Sequence, residues 1–266
     1  MHRRKATNQR SKGTSTQRVF WHGVGKLVSG VCSIILVTAI IGLFIRNCGA
    51  ETIRTEVKGE NFVADFYCNE PSTPRPGILF LGGSEGGRPN RRLPEFLAEN
   101  GYAVLAVAYY KEKGLPQTFQ MIPLEYFDTP IAWINHSKSV APGRTVLVGG
   151  SKGAELALLL ASRKPEIAAV IALSPCSVVW EGPTDAPPPT GQSSWSFQGK
   201  PIPFVPFDYR GINEKDPLFA WKCYKNSLMQ KAAVEKASIE VEKIHGPILL
   251  FSGQDDQLGP CGQMAD

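Results

Sequence analysis

Apolar positions along this chain gather into short unbroken runs, separated by glycine, proline and stretches of helical period. Phe62 to Tyr67 reads as a strand, and a turn-rich segment from Pro71 to Gly77 follows it. Ile78-Leu79-Phe80-Leu81 reads as a buried strand entering Gly82-Gly83-Ser84-Glu85-Gly86-Gly87. Tyr102 to Tyr109, Thr145 to Val148, Ala168 to Leu173 and Pro247 to Phe251 are further strands of the same kind. Helical patterns lie between them, at Leu93 to Asn100 with Gly101 as C-cap, at Leu124 to Asn135 and at Ala154 to Ser162. Continuous apolar strands alternating with helices predict an α/β fold, a mostly parallel sheet with helices on both faces. The glycine clusters match neither a P-loop nor a dinucleotide fingerprint, and no internal repeat is present.

Two regions break this rhythm. Between Val178 and Asp216, proline crowds the chain and alternates with Trp180, Trp195, Phe197, Phe204 and Phe207. Aromatic residues set among prolines suit an ordered, cap-like insertion over a site (178–216) better than a disordered loop. At the other end, Leu27 to Ile45 carries no charge and has the length of a membrane span. The expected organisation is a basic cytoplasmic arm (1–26), one N-terminal transmembrane helix (27–45), a polar linker (46–60) and an α/β domain (61–266). The basic arm should stay in the cytoplasm, which sends the domain across the membrane as a single-pass, extracytoplasmic body. Cleavage of a signal near Ala50, with secretion, is the alternative.

Charge narrows the partners. The first 26 residues hold seven basic side chains and no acidic one, so of 29 basic residues 22 remain, against 24 acidic. That body does not suit a polyanion, and nucleic acid is excluded as a partner. Six cysteines show neither C-x-x-C spacing nor a histidine pairing, so neither a metal nor another cofactor is expected.

The chemistry concentrates at Val146-Leu-Val-Gly-Gly-Ser-Lys-Gly153, a β-branched run ending in G-x-S-x-G with a helix immediately after. In that context the serine sits on a sharp strand-to-helix turn, exposed as a nucleophile, with the helix N-terminus beside it. Ser151 is therefore the candidate nucleophile, and the backbone N–H of Lys152 the first oxyanion donor. A second donor is expected from the glycine-rich loop, near Gly83 or Ser84. Asp256 is the candidate acid, preferred over Asp255, at the carboxyl end of the last strand, where open α/β sheets place their sites. The four histidines fit poorly. His2 and His22 precede the apolar run, His136 ends a helix ahead of the nucleophile strand, and no histidine follows Asp256. His245 precedes a strand whose far end carries the acid, roughly 20 Å away at ~3.3 Å per residue. The triad is expected to lack its histidine in this chain.

From Gly77 onward, the segments Gly101 to Tyr110, Leu115-Pro116, Leu124 to Phe127, Val148 to Leu156 and Ser252 to Gln257 resemble one family. It is the C-terminal catalytic domain shared by acyl-CoA thioesterases and bile-acid-CoA:amino-acid N-acyltransferases. The resemblance implies an α/β-hydrolase fold, an acyl-enzyme intermediate and an acyl-CoA or related acyl (thio)ester substrate. Ser151 falls on the family's nucleophile and Asp256 on its acid. Serine, where the transferase branch has cysteine, favours hydrolysis over transfer. The family continues past Asp266 with a strand, a histidine loop and a helix, so the C-terminal part of the fold is expected to be missing. An acyl-CoA substrate is cytoplasmic, which sits in tension with the predicted topology. An inactive, membrane-tethered acyl-binding protein, or an N-acyltransferase, are the alternative readings.

Overall fold

In the computed structural model, residues 52–57, 61–184 and 190–265 are described. The basic arm, the apolar run 27–45 and most of the linker lie outside them. Among the described residues no helix is long and apolar enough to cross a membrane.

Strands β1 (Ile53–Val57), β2 (Val63–Cys68) and β3 (Arg75–Leu81) open the domain, followed by helix α1 (Arg92–Glu99) and strand β4 (Ala103–Ala108). The short strand β5 (Ile122–Pro123) and a 3-10 turn lead into helix α2 (Asp128–His136). Strand β6 (Val140–Gly150) runs directly into helix α3 (Lys152–Ala161), and β7 (Ala169–Leu173) follows. An insertion then carries β8 (Trp195–Phe197), β9 (Lys200–Pro201), α4 (Phe219–Ser227) and α5 (Lys231–Ala237). Strand β10 (Ile248–Phe251) and helix α6 (Cys261–Ala265) close the described chain.

Seven strands form one sheet in the order β1-β2-β4-β3-β6-β7-β10. The pairs β1–β2 and β2–β4 are antiparallel, and every pair from β4 to β10 is parallel. The α/β fold with a mostly parallel sheet is thus as the apolar runs predicted. Side chains alternate across the sheet as a strand requires. Leu79 and Leu81 pack with Leu105, Val107 and Leu147 under Ile131 and Ile134 of α2 and the apolar side of α3. Ile78 and Phe80 face the other way, with Val104, Ala106 and Val148 under Ala98 of α1. Both faces are covered, which is why the strands read as unbroken apolar runs.

The structure departs from the sequence reading in one place. Part of the expected linker is strand β1, which pairs antiparallel with β2 along its whole length. In the Pro/aromatic insertion Trp180 and Trp195 are buried in the body, whereas Phe197 is exposed, as is Ser151. Through Trp180 and Trp195 the insertion packs against Glu155 of the nucleophile helix. Residues 185–189 of it lie outside the described set.

The chain leaves β3 for β4 on one side, then crosses to β6 on the other. The crevice between the carboxyl ends of β3 and β6 is therefore a topological switch point, where open α/β sheets bind ligands.

Candidate active site

Register alone brings two of the candidate segments together. Leu81 of β3 pairs with Gly149 of β6, so Gly83 and Ser151, each two residues farther on, come level at the switch point. A Cβ placed on Gly83 would lie 3.5 Å from Cβ of Ser151 and 3.3 Å from the Gly150 carbonyl oxygen.

Ser151 itself has φ +52° and ψ −119°, a conformation that a residue with a side chain rarely adopts. The two glycines of the motif explain how the turn is made. A Cβ on Gly149 would sit 2.0 Å from the Gly153 carbonyl oxygen, and one on Gly153 would sit 2.3 Å from that of Leu81 and 2.4 Å from that of Gly82. Side chains are thus excluded at both positions by backbone, and α3 presses against the root of the glycine-rich loop. The Ser151 N–H donates to the Leu173 carbonyl at 2.9 Å, tying the turn to β7. Its own carbonyl accepts from Ala154 and Glu155 and starts the helix. The Lys152 N–H, in the first turn of α3, has no backbone acceptor among the described residues, as expected of a helix N-terminus.

The glycine-rich loop is oriented from beneath by tyrosine. Tyr109, at the end of β4, donates its hydroxyl to the carbonyls of Gly82 at 2.5 Å and Gly83 at 3.2 Å, and Tyr110 donates to that of Ser84. In a planar trans peptide the N–H points opposite to the C=O. Carbonyls turned toward Tyr109 therefore turn the N–H groups of Gly83 and Ser84 away from it. Burial, with the nearby Glu85 charge as a lesser cause, holds the Tyr109 phenol well above its usual range, so it stays a donor. The Gly83 N–H is occupied: it donates to Glu85 Oε1 at 3.0 Å.

Beneath the serine lies a buried ionic cluster. Lys152 Nζ donates to both carboxylate oxygens of Glu155 at 2.7 Å. Glu155 also accepts from Trp195 Nε1 at 2.7 Å, the Trp180 N–H at 3.3 Å and Cys176 Sγ at 3.6 Å. Two of these donors, Trp180 and Trp195, belong to the insertion. Glu155, Trp195, Tyr109 and Glu85 are not among the candidate site residues of the sequence reading; only the Glu155 position, four residues after the serine and one helical turn on, carried a signal.

Asp256 lies five residues beyond the end of β10, on the same edge of the sheet as Ser151. Phe251 pairs with Leu173, which pairs with Gly150. Its Oδ1 accepts from the N–H groups of Leu258 and Gly259 at 2.9 and 3.2 Å, an Asx-type turn. Among the described residues no hydrogen bond joins Asp256 to a histidine. His136 ends α2, its Nδ1 2.7 Å from the Ala132 carbonyl, and His245 precedes β10. His245 is at the amino end of the sheet, opposite Ser151, because Val170 at the start of β7 bonds to Pro247. The structure therefore brings Ser151, the Lys152 N–H and Gly83 together and leaves both described histidines away from them.

A mostly parallel sheet with a strained, exposed serine between a strand and a helix defines a protein of the α/β type with a hydrolase-like elbow. The pattern defining the family "BAAT / Acyl-CoA thioester hydrolase C terminal" matches residues 122–266. Human acyl-coenzyme A thioesterase 1 is 33% identical over 193 residues, 72% of this chain and 42% of its own length. Mouse bile acid-CoA:amino acid N-acyltransferase is 27% identical over 205 residues, 77% of this chain and 46% of its own. The chain belongs to the BAAT/acyl-CoA thioester hydrolase C-terminal family, and it spans less than half the length of these relatives. In fold it resembles a puromycin-hydrolyzing peptidase of Mycobacterium tuberculosis, with TM-score 0.50 at 14% identity, over 80% of this chain and 33% of that one.

Proposed function

We propose that this chain is a serine hydrolase of acyl-CoA thioesterase type, acting through an acyl-serine intermediate. The observation that carries the reading is the positive φ of Ser151 on an exposed strand-to-helix turn, beside an unengaged helix N-terminus. Strain of this kind costs roughly 1–3 kcal/mol and persists where function requires it.

In this mechanism Ser151 Oγ attacks the thioester carbonyl carbon while its proton passes to a base. The Oγ–C bond forms, and negative charge moves to the carbonyl oxygen, within reach of the Lys152 N–H and the Gly83–Ser84 loop. Collapse breaks the C–S bond and expels the thiolate, which takes up the proton. Water then repeats the sequence on the acyl-serine and releases a carboxylic acid. Preorganised N–H donors matter because removing one oxyanion donor costs ~10²–10³ in rate. Asp256 is the group that would orient the base, which neither His136 nor His245 supplies.

The lack of a described histidine near Ser151 favours a second reading, an acyl-binding protein without turnover. A fluorophosphonate probe tests the two. Labelling that disappears in Ser151→Ala, together with thiol release from acyl-CoA, supports the hydrolase. No labelling, with retained binding of a non-hydrolysable acyl-CoA thioether, supports the binding module. Formation of an N-acyl amino acid when glycine or taurine is added would instead favour the transferase. The span at 27–45 is proposed as a membrane anchor, tested by whether the full chain resists carbonate extraction.

A further inference from the structure

The Lys152–Glu155 pair is left unexplained by the reaction itself. Glu155 is fully buried and Lys152 almost so. Taking two charges out of water costs several kcal/mol per ion, and an apolar pair of similar volume often serves a fold as well or better. Yet here the pair is retained and saturated, since each carboxylate oxygen accepts from Lys152 Nζ and at least one further donor. The ammonium also lies 5.5 Å from the centre of the Phe119 ring and 5.6 Å from that of Trp195. The donors that immobilise Glu155 come from Cys176, Trp180 and Trp195, all in the segment between β7 and β10.

We infer that Glu155 is a positioning residue for the oxyanion site, acting through the side chain of Lys152. This deepens the hydrolase reading and rests on it. Residues 152 and 155 stand one turn apart at the start of α3, the part of a helix that frays first. The backbone N–H proposed to meet the oxyanion belongs to the same residue whose ammonium is pinned. Fixing Nζ against a carboxylate, itself fixed by the insertion, clamps the first turn and holds the aim of that N–H. The insertion thereby supports the elbow from below, in keeping with its burial against α3 and the exposure of Ser151.

Phosphonylation of Ser151 by a fluorophosphonate tests this, because the P=O oxygen uses the same donors as an acyl oxyanion. The full chain is compared with the isosteric variant Glu155→Gln and with the apolar double variant K152M/E155M. Thermal unfolding and circular dichroism of each are recorded alongside. The expected result is folded protein, a maximal phosphonylation rate ~10-fold lower in Glu155→Gln and ~10–100-fold lower in the double variant, and half-saturation by the probe unchanged. The scale follows from the oxyanion-donor losses above. A role in stability alone would lower the unfolding midpoint and leave the rate of the folded protein at the wild-type value. Wild-type rates in folded Glu155→Gln would overturn the inference whether or not the double variant folds. An unreactive wild-type chain would sink the nucleophile reading and this inference with it. A reactive wild type with unaltered variants would sink this inference alone.

Discussion

At Ser151 the backbone is held at φ +52° and ψ −119°, a region where a Cβ is costly and glycine is at home. Ser151→Gly should therefore relieve strain of roughly 1–3 kcal/mol, against ~0.4–1 kcal/mol lost to the freer unfolded chain. The balance predicts a net gain of about 1 kcal/mol, read as a rise of ~2–4 °C in unfolding midpoint for a body of this size, with loss of all probe labelling. A midpoint that falls would mean that the turn stores no strain. Glu85 bears on the same site in a different way. Its carboxylate accepts the Gly83 N–H, so in the proposed reaction an incoming oxyanion would compete with a charge already seated there. For an exposed acceptor that competition is worth ~1 kcal/mol, and Glu85→Ala should raise the phosphonylation rate ~5-fold. An equal or lower rate in that variant would show that the carboxylate yields without cost.

Among the elements, what was legible in sequence and what was not divides along physical lines. Strands β3, β4, β6 and β7 are covered on both faces, so each shows as an apolar run, and the elbow shows because its glycines are sterically obligatory. Strand β1 was hidden: Arg54, Thr55 and Glu56 make it look like linker, and only the open edge of β2 extends it into a strand. Helices α4 and α5 were missed as well, being short and held by tertiary packing more than by a repeating apolar face. The donor geometry was invisible for another reason. Tyr109 reaches Gly82 across 27 residues and Trp195 reaches Glu155 across 40, and no local pattern encodes such pairings. At the junction of α3 with β3, helix propensity and packing pull in opposite directions. Gly153→Ala would ordinarily favour a helix by up to ~1 kcal/mol. Here the new Cβ would meet the Leu81 and Gly82 carbonyl oxygens at 2.3 and 2.4 Å, and backbone at both ends of the contact cannot yield easily. Overpacking at about 3 kcal/mol wins. The variant should unfold at lower denaturant concentration than wild type, and a stabilised variant would contradict the close approach.

Across the molecule, the thiols and the sheet edges set how the body meets solvent. Burial, together with the Glu155 charge, pushes the Cys176 thiol well up, and burial raises Cys223 to about 11 and Cys261 to about 12. A raised thiol value means less thiolate, so at pH 8 the ionised fraction is ~10⁻³ for Cys223 and ~10⁻⁴ for Cys261, and reactivity follows it. Iodoacetamide at pH 8 should leave these three unmodified in the native protein and alkylate them in denaturant, as peptide mapping would show. Native alkylation at any of them would contradict the packing.

The two edges of the sheet differ in how they are guarded. β1 presents Arg54 and Glu56, and Arg88 bridges Glu56 to the buried Asp65 on β2, so this edge is charged and cross-linked. β10 has only β7 as a neighbour among the described residues, and it exposes Leu249 at 36% and Phe251 at 45%. Unpaired backbone beside apolar side chains is a template for strand addition, whereas charges on an edge oppose it. A preparation of residues 1–266 alone should therefore self-associate through β10 and spare β1. Phe251→Lys puts a charge on the open edge at a half-exposed position, where the lost burial is worth about 1 kcal/mol or less. It should lower the weight-average mass measured by light scattering at high protein concentration, with the unfolding midpoint little changed. Ile53→Lys, on the guarded edge, should leave association unaltered. If the two substitutions act alike, the association is not directed by the β10 edge, and general surface charge accounts for it.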